Sequence, residues 1–411
     1  MKRIALLALA LIAAMALPAA ARTREDVREA WRQIGAGSEA TPYAEAPRTE
    51  APYAAGELTD AARRQALDTL NFVRWLADVP PVAESALYDF RCQRGAVLLA
   101  ALDYVDHDAP CPEGMDPDFY ESAHQATAGG SIVRFNWMRP AILKEGVEYF
   151  LRDDGDANLA ALGHRRWALN PLMAATGFGL ANSAAGNSYV VMYAHDISAR
   201  PEWDSVRWPC EGPFPAELMH DHLAWSIVLN PARYDIAASR PVVTLSESGG
   251  ALTFRFDPAS GEGNGWCAIN GEGYGAGPCL IFRPDFSGTD FTDYQQNQRW
   301  TVRVDGLRTA DGAPVSMEYA VEMISLAVQD AVNVEISPLE AALKPGDALR
   351  LAADVVPAYA DNLTVLWRST DESVATVDDA GLVTAVAPGE CEIVVRTPGG
   401  LEDRCAVTVR N

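Results

Sequence analysis

The sequence predicts an α+β domain followed by β-rich modules, and three patterns support this prediction. Between residues 59 and 168, apolar residues recur at helical spacing and are punctuated by proline and glycine. Two strand-like runs follow from residue 176. From about residue 200 onward, short apolar runs alternate with turn residues. Helices followed by strands in one segment are typical of a compact α+β domain.

The first 21 residues predict a cleaved signal peptide. Lys2 and Arg3 precede an apolar run over residues 4–17, and Ala19–Ala21 supply the small residues of a cleavage site. That run is shorter than the roughly 20 residues of a membrane-spanning helix. We therefore expect residues 22–411 to be exported and to contain no transmembrane segment.

The chain is strongly acidic, with 33 Lys and Arg against 56 Asp and Glu and a net charge of −23. Such a field repels polyanions, which makes nucleic acid a poor partner. We expect a monomer whose partner is an extracellular ligand or surface component.

The α+β domain is predicted over residues 56–197, after an N-terminal segment and linker at 22–55. In that segment, residues 23–35 could form one short helix and residues 36–55 are interpreted as the linker. Thr59 caps its first helix, which Pro80 ends. Further helices are predicted from about Glu84 to Asp103, from Asp118, from Pro140 to Arg152, and after Asp156 as an N-cap. The strands TGFGLA and SYVVMYA complete the domain.

Two β-rich domains are predicted next, over residues 200–329 and 331–411. The second contains seven short strand-like runs and Trp367 as a core residue, which favours a β-sandwich. In the first, the glycine-rich segments 261–265 and 271–277 lie among strands. We interpret them as turns, because no helix follows that could direct its N-terminus at a phosphate.

Seven cysteines in an exported chain permit disulfides but are too sparse for a disulfide scaffold. Three pairings are suggested by position, and Cys210 would remain unpaired. They are Cys391–Cys405 across a predicted hairpin, Cys267–Cys279 around a glycine-rich loop, and Cys92–Cys111.

Two histidines are the main candidates for chemistry. His164 stands in the segment GHRRW, and His107 follows the second helix. On neighbouring elements they could bind one divalent ion or act as general acid and base. Composition alone favours the alternative of two hydrogen-bonded structural histidines.

Residues 57 to about 197 resemble the CAP superfamily of cysteine-rich secretory proteins, especially its bacterial branch. The matching pieces are LNFVR at 70–74, His107, GHRRWALNP at 163–171, TGFG at 176–179 and the strand YVVMYA. The resemblance implies a three-layer α-β-α sandwich. It also implies a cleft with two histidines and two glutamates that can hold a divalent metal such as zinc.

His107 and His164 match the two histidines of that family. Gly130 stands where the family has its first glutamate, and the second falls on the fourth helix. The candidate substitutes there are Glu145, Glu148 and Asp153. Two histidines with at most one carboxylate would make a weakened metal site.

The remaining modules carry resemblances of their own. Residues 200–329 are similar to the β extension that follows this domain in some bacterial members. Residues 331–411 resemble a group 2 bacterial Ig-like domain. The motifs are LKPGD at 343–347, WRS at 367–369, SVATVD at 373–378, GLVTA at 381–385 and PGE at 388–390.

These resemblances imply a secreted or cell-surface protein that binds a lipid, peptide or surface polymer, with Ig-like modules for presentation or adhesion. One alternative is a metal-dependent hydrolase or protease that uses His107 and His164. Another is a purely structural surface protein. The missing carboxylate at Gly130 separates the first two, because a hydrolase needs it or a replacement and a binding domain does not.

Overall fold

The computed structural model describes residues 22–35 and 41–411, and the predicted signal peptide lies outside them. The chain divides into two compact units. The first extends to residue 294 and includes 298–326, and the second comprises 295–297 and 327–411. Within the described residues, no helix is both long enough and apolar enough to cross a bilayer.

The α-helices of the described residues all lie in the first unit. They are α1 (Arg24–Gly35), α2 (Asp60–Leu76), α3 (Ala86–Leu102), α4 (Pro117–Ala128), α5 (Ile142–Arg152), α6 (Asp156–Leu159) and α7 (Gly163–Ala168). Side chains cap α2, α3 and α4, because the first backbone N–H groups of a helix lack partners. Thr59 accepts from Ala62 N and Ser85 from Tyr88 N, and Asp116 accepts from two such groups on α4.

Two predicted helix starts differ from the structure. Pro140 was expected in the first turn of α5, but that helix begins at Ile142, after Ala141. Asp156 was expected to cap α6, whereas Gly155 is the N-cap and Asp156 is the first helical residue.

The strands that accompany these helices are short. They are β1 (Tyr43–Glu45), β2 (Glu57–Leu58), β3 (Ala83–Glu84), β4 (Gly130–Phe135), β5 (Ala175–Thr176), β6 (Phe178–Asn182) and β7 (Ser188–Tyr193). The main sheet has the order β4-β7-β6 and is antiparallel. Sequence reasoning predicted β6 and β7 but missed β4. The segment expected as a linker contains β1, which pairs with β2.

Helices cover both faces of this three-stranded sheet. Alternate strand residues enter different cores, since successive side chains of a strand point to opposite faces. Ile132, Ala181 and Val191 pack with α3 and α4. Val133 and Val190 pack with α2 and α5 on the other face.

Gly179 allows α3 to lie directly on β6. A Cβ at this position would collide with the backbone carbonyl of Cys92 on α3. Gly177 makes a similar approach to the backbone of Tyr88 and Asp89. The glycines of TGFG therefore set the spacing between helix and sheet.

The rest of the first unit is β-rich. Its strands are β8 (Ser205–Trp208), β9 (Gly212–Pro215), β10 (Trp225–Leu229), β11 (Val242–Glu247), β12 (Thr253–Asp257), β13 (Glu262–Gly263), β14 (Gly265–Asn270), β15 (Cys279–Pro284), β16 (Arg299–Arg308) and β17 (Pro314–Ile324). They form a four-stranded sheet, β14-β15-β10-β8, and a six-stranded sheet, β13-β12-β11-β16-β17-β9. A 3₁₀ turn at Ala216–Leu218 follows β9.

One continuous core runs through the α+β region and the β-rich region. It includes Val27 of α1, Leu70 of α2, Trp225 of β10 and Trp300 of β16, all buried. Residues 56–197 thus lie in one compact unit with residues 200–294 and 298–326, which are most of the domain predicted over 200–329. Helix α1, which the sequence predicts over residues 23–35, also packs in this core.

The second unit contains strands only. They are β18 (Asn333–Ser337), β19 (Glu340–Leu343), β20 (Ala348–Arg350), β21 (Ala352–Val356), β22 (Leu366–Ser369), β23 (Ala375–Val377), β24 (Leu382–Ala385), β25 (Gly389–Arg396) and β26 (Glu402–Val409). Their sheets have the orders β18-β21, β19-β26-β25-β22 and β20-β24-β23. The core is centred on residues such as Ile393 and Val407, and Trp367 packs at its edge.

All seven cysteines are free thiols, so the three predicted disulfides are absent from the structure. Cys267 pairs across the strands with Phe282, whereas Cys279 pairs with Asn270, which places them on opposite sheet faces. Cys92 is buried in α3 and Cys111 is exposed. Cys391 and Cys405 are diagonal neighbours, opposite Val407 and Ile393 respectively. Burial raises the pKa of the Cys210 thiol to about 12.

Asp89 on α3 couples the stability of the first unit to pH. Its carboxylate accepts a hydrogen bond from Phe178 N at 2.9 Å. Burial, with Glu84 nearby, raises its pKa from 3.8 to about 7. The folded state therefore binds this proton more tightly than the unfolded state, and stability falls as pH rises from about 4 to about 7.

We expect Asp89→Asn to remove this loss. The free energy of unfolding of the variant should exceed that of the wild type by a difference that grows between pH 4 and 7. This difference should reach about 1–2 kcal/mol at pH 8, after allowance for solvent screening. Urea unfolding at several pH values measures the difference. The exposed Asp290→Asn is the control and should show no such trend. A pH-independent difference for Asp89→Asn would contradict the assignment.

Candidate functional site

A cleft of about 280 Å³ opens in the first unit where α6, α7, β4 and a loop of the β-rich region meet. Three histidines, an asparagine, a tryptophan and a tyrosine supply most of its functional groups. The lining residues are His107, Ala128, Gly130, Ser131, Asn158, Ala161, Gly163, His164, Trp167, His195 and Tyr274. The two histidines singled out in the sequence therefore line one cleft.

A buried carboxylate orients His164 on α7. Asp153 ends α5 in a left-handed conformation, with φ of 51°. Its Oδ1 lies 2.8 Å from His164 Nδ1, and the carboxylate is 1% exposed. Because a carboxylate oxygen accepts hydrogen bonds, Nδ1 is assigned as the donor, and in the neutral imidazole Nε2 is then the acceptor. Asp153 thus contacts the Nδ1 side of the imidazole and does not itself line the cleft.

His107 is oriented in the same way by the backbone. Its Nδ1 lies 2.7 Å from the carbonyl oxygen of Thr127, in the last turn of α4. A carbonyl cannot donate, so Nδ1 is the donor and Nε2 is the free nitrogen. Both predicted histidines therefore offer Nε2 as a hydrogen-bond acceptor or metal ligand.

His195 is a third imidazole of the cleft, and sequence reasoning missed it. It follows β7, and its ring packs on Trp167 with centroids 4.2 Å apart. Burial and the neighbouring His107 lower the pKa of His195. It is consequently neutral at neutral pH. Its position directly after the strand YVVMYA is the sequence signal that marks it.

The cleft lining contains no Asp, Glu, Lys or Arg among the described residues. Ser131 Oγ is buried there without a hydrogen-bond partner. A Cβ on Gly130 would collide with the carbonyl of Ala126 and lie 3.0 Å from that of Met192. A glutamate therefore cannot replace Gly130 without a backbone shift.

The other two predicted carboxylates, Glu145 and Glu148 on α5, make contacts outside the cleft. Glu145 accepts from Trp137 Nε1 at 3.0 Å. Glu148 pairs with Lys144 at 2.6 Å. Neither lines the cleft. Of the three candidates on this helix, only Asp153 reaches a cleft histidine.

The residues present fit a divalent metal only in part. The carboxylate and carbonyl behind His164 and His107 match the outer shell that orients metal-binding imidazoles. Structural and catalytic zinc sites nevertheless use at least three protein ligands. The described ranges contain no cluster of three or more His, Cys, Asp or Glu side chains that could hold a metal ion. We therefore derive no chemical step through a metal.

The segment 271–277 is bound to α7 beside the cleft and contributes Tyr274 to its lining. Arg166 on α7 donates to Asn270 Oδ1 at 2.7 Å, to Glu272 O at 3.0 Å and to Gly277 O at 2.8 Å. Tyr274, at the tip of this loop, lines the cleft and is 36% exposed. The interpretation of residues 271–277 as a turn did not predict this contact with α7, which lies more than 100 residues earlier in the sequence.

Comparison with known families identifies one module. Residues 330–397 match the bacterial Ig-like domain (group 2). This agrees with the resemblance seen in the strand motifs of the second unit.

Individual relatives match short stretches only. An alpha-L-arabinofuranosidase of Bifidobacterium longum is 33% identical over 28% of this chain and 10% of its own length. An Ig-like virion protein of Serratia phage KSP90 is 39% identical over 21% of this chain and 34% of its own length. The chain thus spans about a third or less of these relatives.

A solved structure of S-layer protein SbsC domains 4 and 5 matches with a TM-score of 0.19 and 16% identity, covering 27% of this chain and 65% of that one. A TM-score this low does not establish a shared fold.

Proposed function

We propose that this chain is an extracellular or cell-surface binding protein of the CAP type. Its first unit binds a ligand in the histidine cleft, and its Ig-like module presents that unit. The observation that carries the proposal is the convergence of three imidazoles, from separate elements, on one cleft. A concave site with a few converging polar groups is the usual form of a ligand-binding site.

Other features support the CAP assignment and the location. Helices flank the sheet β4-β7-β6 on both faces, as the resemblance implies. The signal-like residues 1–21 and the Ig-like match favour export. The relatives include a virion protein and a glycosidase by name.

A hydrolase is the second candidate, and the Asp153–His164 hydrogen bond favours it. A buried carboxylate at 2.8 Å from Nδ1 holds an imidazole as a general base would need. The serine of the cleft is a poor nucleophile, because Ser131 Oγ is buried from solvent. Binding is therefore the better supported function.

We expect His107→Ala/His164→Ala to abolish ligand capture. Residues 22–411 are incubated with the low-mass fraction of spent bacterial medium and examined by native mass spectrometry. Wild type should carry a mass adduct that the double variant loses by about tenfold or more, because the polar groups that hold the ligand are gone. The matched control is His220→Ala/His222→Ala, which changes two histidines outside the cleft.

Equal adducts on wild type and His107→Ala/His164→Ala would contradict binding in this cleft. A melting curve for each variant separates lost binding from lost folding. A captured substrate that is converted by the wild type would favour the hydrolase instead.

A further inference from the structure

We propose that the cleft binds one or two neutral sugar residues of an extracellular glycan, and that Tyr274 is the ring on which the sugar stacks. The inference rests on the proposed function and assigns a ligand class to the same site. It also makes the β-rich region part of the binding site, since Tyr274 comes from that region.

The charge of the cleft argues for a neutral ligand. Its described lining carries no acidic or basic side chain apart from the histidines, and His195 has a lowered pKa. A chain with a net charge of −23 repels polyanionic ligands. A charged ligand would therefore meet no Asp, Glu, Lys or Arg side chain in the described lining of this cleft.

The polarity of the cleft argues for hydroxyl groups. His107 and His164 each offer a free Nε2, because their Nδ1 atoms are held from behind. Asn158 adds an amide. An acyl chain would leave these groups unpaired, which is unfavourable, whereas sugar hydroxyls can both donate to them and accept from them.

The second feature of a sugar-binding site is an aromatic ring, and Tyr274 provides it in this cleft. The C–H face of a pyranose packs on an aromatic ring, because the face of the ring carries negative partial charge. Tyr274 lines the cleft and is 36% exposed, whereas Trp167 is already packed on His195. At about 280 Å³ the cleft lies at the small end of ligand sites, which suits one or two sugar units.

Tyr274 is held in place by contacts with Gly163 and Arg166 of α7. Its ring lies 3.0 Å from where a Cβ of Gly163 would be, so a side chain at Gly163 would displace it. The Arg166 guanidinium lies 5.5 Å from the ring centroid. The same guanidinium binds both ends of the loop, through Asn270 and Gly277. Arg166 is thus a positioning residue for Tyr274.

The test measures binding of residues 22–411 to soluble cellohexaose, xylohexaose, mannohexaose, arabinohexaose and chitohexaose by calorimetry. We expect at least one to bind the wild type and Tyr274→Phe alike. Tyr274→Ala should bind it about tenfold or more weakly. Tyr359→Ala, at a 40% exposed tyrosine of the second unit, is the matched control and should leave binding unchanged. Melting curves check that each variant folds.

The other outcomes separate this inference from the proposed function. Binding lost in His107→Ala/His164→Ala but kept in Tyr274→Ala would overturn the role of Tyr274 and leave the cleft as the site. No binding of any of the five sugars, with an adduct still captured from medium, would overturn the ligand class alone. No binding and no adduct would overturn both.

Discussion

Gly179→Ala is expected to destabilise the first unit by at least about 4 kcal/mol, the range reached when packed backbone must move apart. The reason is space, since a Cβ there would collide with the carbonyl of Cys92 on α3. Neither the helix backbone nor β6 can move without separating the core between them. Urea unfolding followed by tryptophan fluorescence measures the loss.

The matched control is Gly249→Ala, in the same unit. A Cβ at Gly249 meets no atom within 4 Å, and that residue has no left-handed φ. Its effect should stay within about 1 kcal/mol of the wild type. Similar effects for the two alanine variants would contradict the close approach of α3 to β6.

Arg165→Met should destabilise the same unit by about 3–5 kcal/mol. Arg165 is 1% exposed and donates to the carbonyl oxygens of Leu151 at 2.6 Å, Ala224 at 2.6 Å and Arg152 at 2.9 Å. Methionine keeps much of the volume but leaves these buried carbonyls without donors. Burial lowers the pKa of Arg165 to about 10, so it is still charged at neutral pH.

The control for this prediction is Arg139→Met. The Arg139 side chain is 64% exposed and pairs with Glu145 at 3.5 Å. An exposed pair of this kind contributes at most about 1 kcal/mol. If the variants at 165 and 139 unfold at the same urea concentration, Arg165 does not tie α7 to the β-rich region.

Local signals account for the parts of the fold that could be predicted from the sequence. Thr59 begins α2 because its hydroxyl accepts from Ala62 N, and a cap of this kind is visible in the sequence. Strand β4 was missed because it begins with Gly130 and Ser131, which are typical of turns. It becomes a strand through pairing with β7, a partner almost 60 residues away.

The candidate site also contains some residues that could be predicted from the sequence and others that could not. His107 and His164 could be identified from motifs, and Asp153 was one of three carboxylates on the same helix. The choice among these three depends on which side chain faces α7, and spacing alone did not settle it. Tyr274 could not be predicted, because its place depends on hydrogen bonds from Arg166 to a distant loop.

The central claim is that His107, His164 and His195 belong to one binding site. The chain has six histidines, three in the cleft and three outside it, namely His124, His220 and His222. NMR spectra of the imidazole protons during titration with the tightest-binding hexaose report on all of them together. The account predicts that the three cleft signals shift with one common dissociation constant while the other three stay in place. Shifts confined to the outer histidines, or three cleft signals that follow different constants, would contradict it.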